Sequence, residues 1–237
     1  MSAAPSRPSS DTMIVLAVDT TTPSGSVALL RDGELAGEFN LESPSTHSAR
    51  LLRSIDFLLG AHGIDIREVD AYAVAAGPGS FTGIRIGLSA VKSLAFASGK
   101  PVAAVSTLEA LAAKIVSPSV RLACPLLDAK KGELYAALFE LRAARLVELI
   151  PQGAYDPDAF FSRLPAHRVT AFIGSGLGLY REKLLGYVRD KVRFPLRSPF
   201  AAAEVGRIGH RLIIEGKGVP AGALKPVYFR KSQAEEP

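Results

Sequence analysis

Residues 75–100 read AAGPGSFTGIRIGLSAVKSLAFASGK, and this stretch limits the possible folds more than any other. A small apolar run, 71–76, leads into Gly77-Pro78-Gly79-Ser80-Phe81-Thr82-Gly83. The pattern predicts a strand, a tight loop, and a helix over 84–98 stopped by Gly99 and Pro101. At helical spacing Gly83, Gly87, Ala90, Leu94 and Ala97 share one face. Ile84, Leu88, Val91 and Ala95 share the adjoining face, so the apolar arc is wider than one sheet contact uses. Glycine inside a helix costs about 1 kcal/mol relative to alanine. Close approach of a second backbone to the small-residue face would offset that cost at Gly87. Either one face packs on the sheet and the other meets a second polypeptide, or both are buried within the monomer.

The rest of the chain supplies the sheets. Residues 13–18 (MIVLAV) form a continuous apolar run ending at Asp19, as a buried central strand does. Residues 20–25 turn the chain, 26–30 return, Asp32-Gly33 turns it again, and 35–41 form a third strand. A helix follows, capped by Ser45 or Thr46, with His47 in its first turn and Leu51, Leu52, Ile55, Leu58 and Leu59 on its apolar face. After the glycine loop and its helix come a strand at 102–105 and a helix at 107–116. Ser117-Pro118-Ser119 marks a seam. Beyond it the order repeats: a strand over 121–127 ending at Asp128, a turn, strands over 133–140 and 146–150, and a helix over 158–164. A strand over 169–173, a second glycine loop at 174–178 and a helix over 179–185 complete that repeat. A terminal helix over 201–215 and a short closing strand over 224–230 end the chain.

This is an α/β chain with two duplicated βββαβα subdomains, 13–118 and 119–237, behind a disordered leader at 1–12. Two such halves around a cleft describe the actin-like, sugar-kinase-like architecture. Ligands of helix-covered sheets of this type sit at loops off strand ends.

Composition narrows the function classes. Hydrophobic residues at 48% and charged residues at 22% suit a packed globule. The lone Cys124 excludes an internal disulfide and fits a reducing compartment. No apolar run is long enough to span a bilayer, and 1–12 lacks the core of a signal peptide. A net charge of +5 permits contact with RNA or an acidic partner, with cations concentrated at 181–197 and 225–231.

Candidate chemistry is sparse. Asp19 and Thr20 would suit a phosphate or magnesium ion, and an Asx-type turn accounts for them as well. Gly174 and Gly176 would let an adenine or ribose approach, and a tight strand-to-helix turn explains them equally. The loop at 77–83 is no P-loop, since no Gly-Lys-Ser/Thr ends it. His47, His62, His167 and His210 offer no helical metal pair, and no nucleophile elbow is present. Asp128 with Lys130, Lys131 and Glu133 reads as an exposed charged turn.

Taken together, VLAVDTTTPSGSVALL, AAGPGSFTGIRIGLSAVKSLAFASGKPVAAVSTLEALA, LLDAKKGELYAALF and LKPVYFRKSQA closely resemble the TsaB (YeaZ) proteins, over about 13–234. The resemblance implies a cytoplasmic protein of the actin-like ATPase (ribonuclease H-like, sugar kinase/Hsp70/actin type) fold. It implies a role in making threonylcarbamoyl-adenosine (t6A) at position 37 of tRNAs that read codons beginning with A. The implied partners are the catalytic relative TsaD and the small ATPase TsaE, or a second copy when TsaD is absent. Contact with tRNA would occur within the complex. In TsaD a His-x-x-x-His pair holds a metal, and here those places are Thr107 and Leu111. A non-catalytic scaffold is therefore expected, without a tightly bound cofactor. At most it would hold ATP or ADP with magnesium weakly at the cleft or partner boundary. The implied interface is the two N-terminal helices, with His47, Leu51, Ile55, Gly83, Gly87, Ala90, Leu94 and Ala97 as candidates. The rival reading is an independent ATP-dependent, kinase-like enzyme built on Asp19, Asp128 and the second glycine loop; a protease is a distant third.

Overall fold

The computed structural model describes residues 12–42, 47–143 and 145–229. The proposed leader, the Ser45/Thr46 cap and the side chain of His47 lie outside the described residues.

The first sheet is built from β1 (Ile14–Asp19), β2 (Ser24–Arg31), β3 (Glu34–Glu42), β4 (Ala71–Gly77) and β5 (Val102–Ser106). Its order is β3-β2-β1-β4-β5, with β1 antiparallel to β2 and parallel to β4. The second sheet holds β6 (Leu122–Lys130), β7 (Glu133–Arg142), β8 (Arg145–Tyr155), β9 (Thr170–Ile173) and β10 (Val192–Arg193). Its order, β10-β9-β6-β7-β8, repeats the first. The helices are α1 (His47–Ala61), α2 (Phe81–Ser98), α3 (Thr107–Ile115), α4 (Pro157–Phe161), α5 (Leu177–Val188) and α6 (Ala202–Ile214).

The repeating unit is thus βββαβαβα, longer than the expected βββαβα. The expected repeat stopped early because β10 has only two residues and carries no apolar run. β8 extends well past 150 and carries Pro151, which an edge strand tolerates because its outer side needs no donor. No closing strand forms over 224–229. That segment has no regular secondary structure and is tied to the end of β4 by Val227 N–H donating to Ala76 O at 2.7 Å. Pro226 removes one of the donors a ladder would use.

Every residue of β1 is buried, as its unbroken apolar run predicts for a strand covered on both faces. Its alternation divides two cores. Ile14, Leu16 and Val18 face α1 and α2; Val15 and Ala17 face the space between the sheets. A third core joins the second sheet to α4 and α5 through Phe160, Phe161, Phe172 and Leu184. α3 and α6 fill the middle layer, and they cross over: α6 packs on β1, β2, β4 and β5, and α3 reaches β6 and β9. α6 comes close because Gly206 and Gly209 face the sheet. A methyl on Gly209 would lie 2.3 Å from Ala73 Cβ. Its N-terminus has no side-chain cap of its own; Ala202 N–H donates instead to Ser26 Oγ of β2 at 3.0 Å. Among the described residues no helix is long and apolar enough to cross a membrane.

Candidate functional site

The glycine loop serves the chain's own backbone. Ser80 caps α2, its Oγ accepting from Gly83 N–H at 3.2 Å. Ser80 N–H donates to Thr21 O at 2.7 Å, which lays the loop across the turn between β1 and β2. A methyl on Gly79 would sit 2.3 Å from Thr21 O, one on Gly83 2.0 Å from Thr20 O, and one on Gly87 2.5 Å from Thr20 Oγ1. Each spacing is far inside van der Waals contact, so the sequence must place glycine there.

Two sets of predicted site residues therefore meet in one packed junction. Asp19 and Thr20, the cofactor candidates of the first hairpin, are buried. Asp19 Oδ1 accepts from Thr21 N–H at 2.9 Å and from Thr21 Oγ1 at 2.7 Å, an Asx turn. Thr20 Oγ1 donates to Gly83 O at 2.7 Å. Gly83 and Gly87, expected on a partner-facing surface, instead face this turn. The correction has a plain cause: the small-residue stripe accepts the Asp19–Thr21 backbone, so the monomer itself supplies the close neighbour. Leu51 and Ile55 are likewise buried, in the core between α1 and the first sheet.

The second glycine loop repeats the arrangement. A methyl on Gly174 would meet Leu126 O at 2.2 Å, and Gly176 N–H donates to that oxygen at 3.0 Å. Asp128 N–H donates to Ser175 Oγ at 3.3 Å. Burial alone would raise the Asp128 carboxyl, yet hydrogen bonds from Lys130 hold it below the usual value. Among the described residues no three His, Cys, Asp or Glu side chains group as a metal site. Thr107 and Leu111 are both buried on α3. The Thr107 hydroxyl donates to Thr21 Oγ1 at 3.1 Å, and Leu111 belongs to the middle core.

What α1 and α2 leave open is a groove of about 710 Å³. Leu51, Leu52, Ile86, Ala90 and Leu94 form its apolar lining, and Thr82, Arg85, Ser89 and Ser93 supply polar groups. Leu52 is 55% exposed. Phe96, at 84% exposed, continues the Ser89–Ser93 stripe one turn on, and Ala97 is exposed beside it. At the start of α2 the groove is closed by an aromatic stack. Phe81 and Tyr228 rings lie 5.0 Å apart, Arg85 sits 3.7 Å over Phe81, and Arg85 Nε donates to Tyr228 Oη at 3.3 Å. Of the predicted interface residues, Leu51, Ala90 and Leu94 line this groove, Leu51 from its largely buried position on α1. Phe81, Arg85 and Tyr228 were not predicted for it, since Tyr228 arrives from the far end of the chain.

A duplicated βββαβαβα chain with crossed middle helices defines an actin-like, sugar-kinase-type fold. A ROK hexokinase from Thermus thermophilus shares it at TM-score 0.51 and 14% identity, over 85% of this chain and all of the other. Nearer relatives give the family. The family model for TsaD, tRNA N6-adenosine threonylcarbamoyltransferase, matches residues 42–168. The tRNA threonylcarbamoyladenosine biosynthesis protein TsaB of Escherichia coli K12 is 31% identical, over 94% of this chain and 96% of its own. The TsaB protein of Bacillus subtilis 168 is 28% identical over the same shares. A Pseudomonas aeruginosa crystal structure, described as similar to peptidase YeaZ, superposes at TM-score 0.80 and 30% identity, covering 92% of this chain and all of that one. The chain belongs to the TsaB (YeaZ) family.

Proposed function

We propose that this chain is the scaffold subunit of the assembly that makes t6A at position 37 of tRNAs reading codons beginning with A. It docks on the transferase TsaD through the α1–α2 groove, in an assembly that includes TsaE. The observation that carries this reading is the groove itself: an apolar lining between two helices, with Leu52 exposed within it and Phe96 exposed one turn further along α2. Family membership supports the pathway. The side chains at 107 and 111 support a non-catalytic role, since neither threonine engaged with Thr21 nor a core leucine can act as an imidazole ligand.

Light scattering of the purified chain mixed with TsaD, coupled to a tRNA modification assay, tests the reading. Wild type gives the mass of a heteromeric complex and restores modification. Leu52→Arg puts an unpaired charge in the groove; it weakens association at least thirtyfold, the scale of a central interface residue, and leaves the melting temperature within a few degrees. Association and modification at wild-type levels in this variant would remove the groove from the account.

A further inference from the structure

We propose that the edge formed by α5 and residues 189–197 binds the phosphate backbone of RNA. The inference rests on the tRNA-modification reading for the identity of the RNA. Its structural basis is separate from the α1–α2 groove.

Charge on the chain is not evenly spread. Residues 189–197 (RDKVRFPLR) hold four cations against one carboxylate, three of the chain's net five positive charges. The two flanks of α5 differ in how their cations are used. On the flank toward α4, Lys183 Nζ reaches Asp158 at 2.7 Å and Tyr187 Oη donates to the same carboxylate at 2.8 Å. That cation is neutralised locally. On the opposite flank Arg181 lies 4.4 Å over the Phe194 ring, which fixes the adjacency of α5 to the segment after β10. Lys191 pairs with Asp190, but Arg193 and Arg197 are exposed and make no ion pair among the described residues. Glu182 is the nearest other carboxylate in the sequence of α5.

The cations without a carboxylate here are arginines, whose planar forks match phosphate oxygens two at a time. β10 is the outermost strand of its sheet; Val192 and Phe194 pack inward on the third core, and Arg193 and Arg197 are exposed along the edge. An exposed aromatic-supported arginine edge, poor in carboxylates, suits a backbone carrying regular negative charge and gives no base specificity. An acidic protein surface is the other partner such an edge would fit. The arginine forks and the substrate of the pathway favour RNA.

The test is the salt dependence of binding between the full-length chain and an unmodified tRNA transcript, measured by filter binding with wild type and Arg193→Ala/Arg197→Ala. Neither side chain packs in a core, and a melting curve checks the fold. Loss of two phosphate contacts lowers the slope of log K against log salt by about 1.4–1.8, and weakens low-salt binding roughly tenfold. The Arg193→Lys/Arg197→Lys variant keeps most of the slope. An unchanged slope in the alanine variant overturns the proposal. So does retained tRNA binding with lost association to TsaD or TsaE, which would mark a protein-docking edge. Failure of the scaffold reading appears elsewhere, as loss of the TsaD complex by the wild-type chain while the tRNA slope persists.

Discussion

At position 87 a hydrogen stands where a methyl would lie 2.5 Å from Thr20 Oγ1. That hydroxyl is already committed to Gly83 O, so it cannot rotate away without losing a buried hydrogen bond. Gly87→Ala therefore costs about 1–3 kcal/mol despite alanine's better helix propensity. A calorimetric melt should show a fall of about 3–10 °C with the helical signal retained. The helical spacing around Gly87 pointed correctly to a close neighbour. It could not say which neighbour, because a face shaped for a second protein and one shaped for a buried turn have the same residues. The same ambiguity surrounded Asp19. The Asx turn and the phosphate-binding turn share their first residues, and only the loop laid over Thr21 separates them.

Elements were legible where burial imposed a period. β1 and β6 stand out as apolar runs ending in aspartate, and α2 and α3 as capped amphipathic segments. β10 and the extent of β8 were hidden, since edge strands have one flank in water and little apolar signal. One long-range tie was also invisible in the sequence. Glu140 on β7 is fully engaged by Arg168, which leads into β9, and by Arg142. The Arg168 and Arg142 hydrogen bonds hold its carboxyl below its ordinary value of 4.5. The unfolded chain binds that proton more readily than the folded one. The stability gained is complete above the ordinary value and disappears as pH falls through the depressed one. Melting temperature plotted against pH should decline more shallowly on the acid side in Glu140→Gln than in wild type. Parallel acid limbs would show that the tie contributes nothing.

Across the whole molecule, the two halves of the sequence are not two independent packing units. α6 covers the first sheet, Ser26 caps it, and Lys114 of α3 holds Phe200 O at 2.6 Å and Glu204 at 3.2 Å. A fragment of residues 12–118 would expose the alanine-rich inner face of β4 and the α6-binding side of β1. Expressed alone it should be aggregated or unfolded by circular dichroism, and co-expression with 119–237 should recover a soluble complex. A cooperatively folded 12–118 fragment would refute the crossed-helix account. The duplication was readable from the repeated order of strand, aspartate, turn and glycine loop. The crossing was not, because α6 looks like a generic amphipathic helix until Gly206 and Gly209 are seen against Leu30 and Ala73.

The central claim is that the monomer packs both glycine loops on its own strand ends, at Thr20–Thr21 and Leu126, and leaves the groove between α1 and α2 for its partner. Hydrogen–deuterium exchange of the chain with and without TsaD tests it most directly. New protection should map to peptides from 51–59 and 81–98, with those around 19–22 and 128–133 unchanged. Protection that appears at the two hairpins and leaves the α1–α2 peptides as they were in the free chain would contradict it.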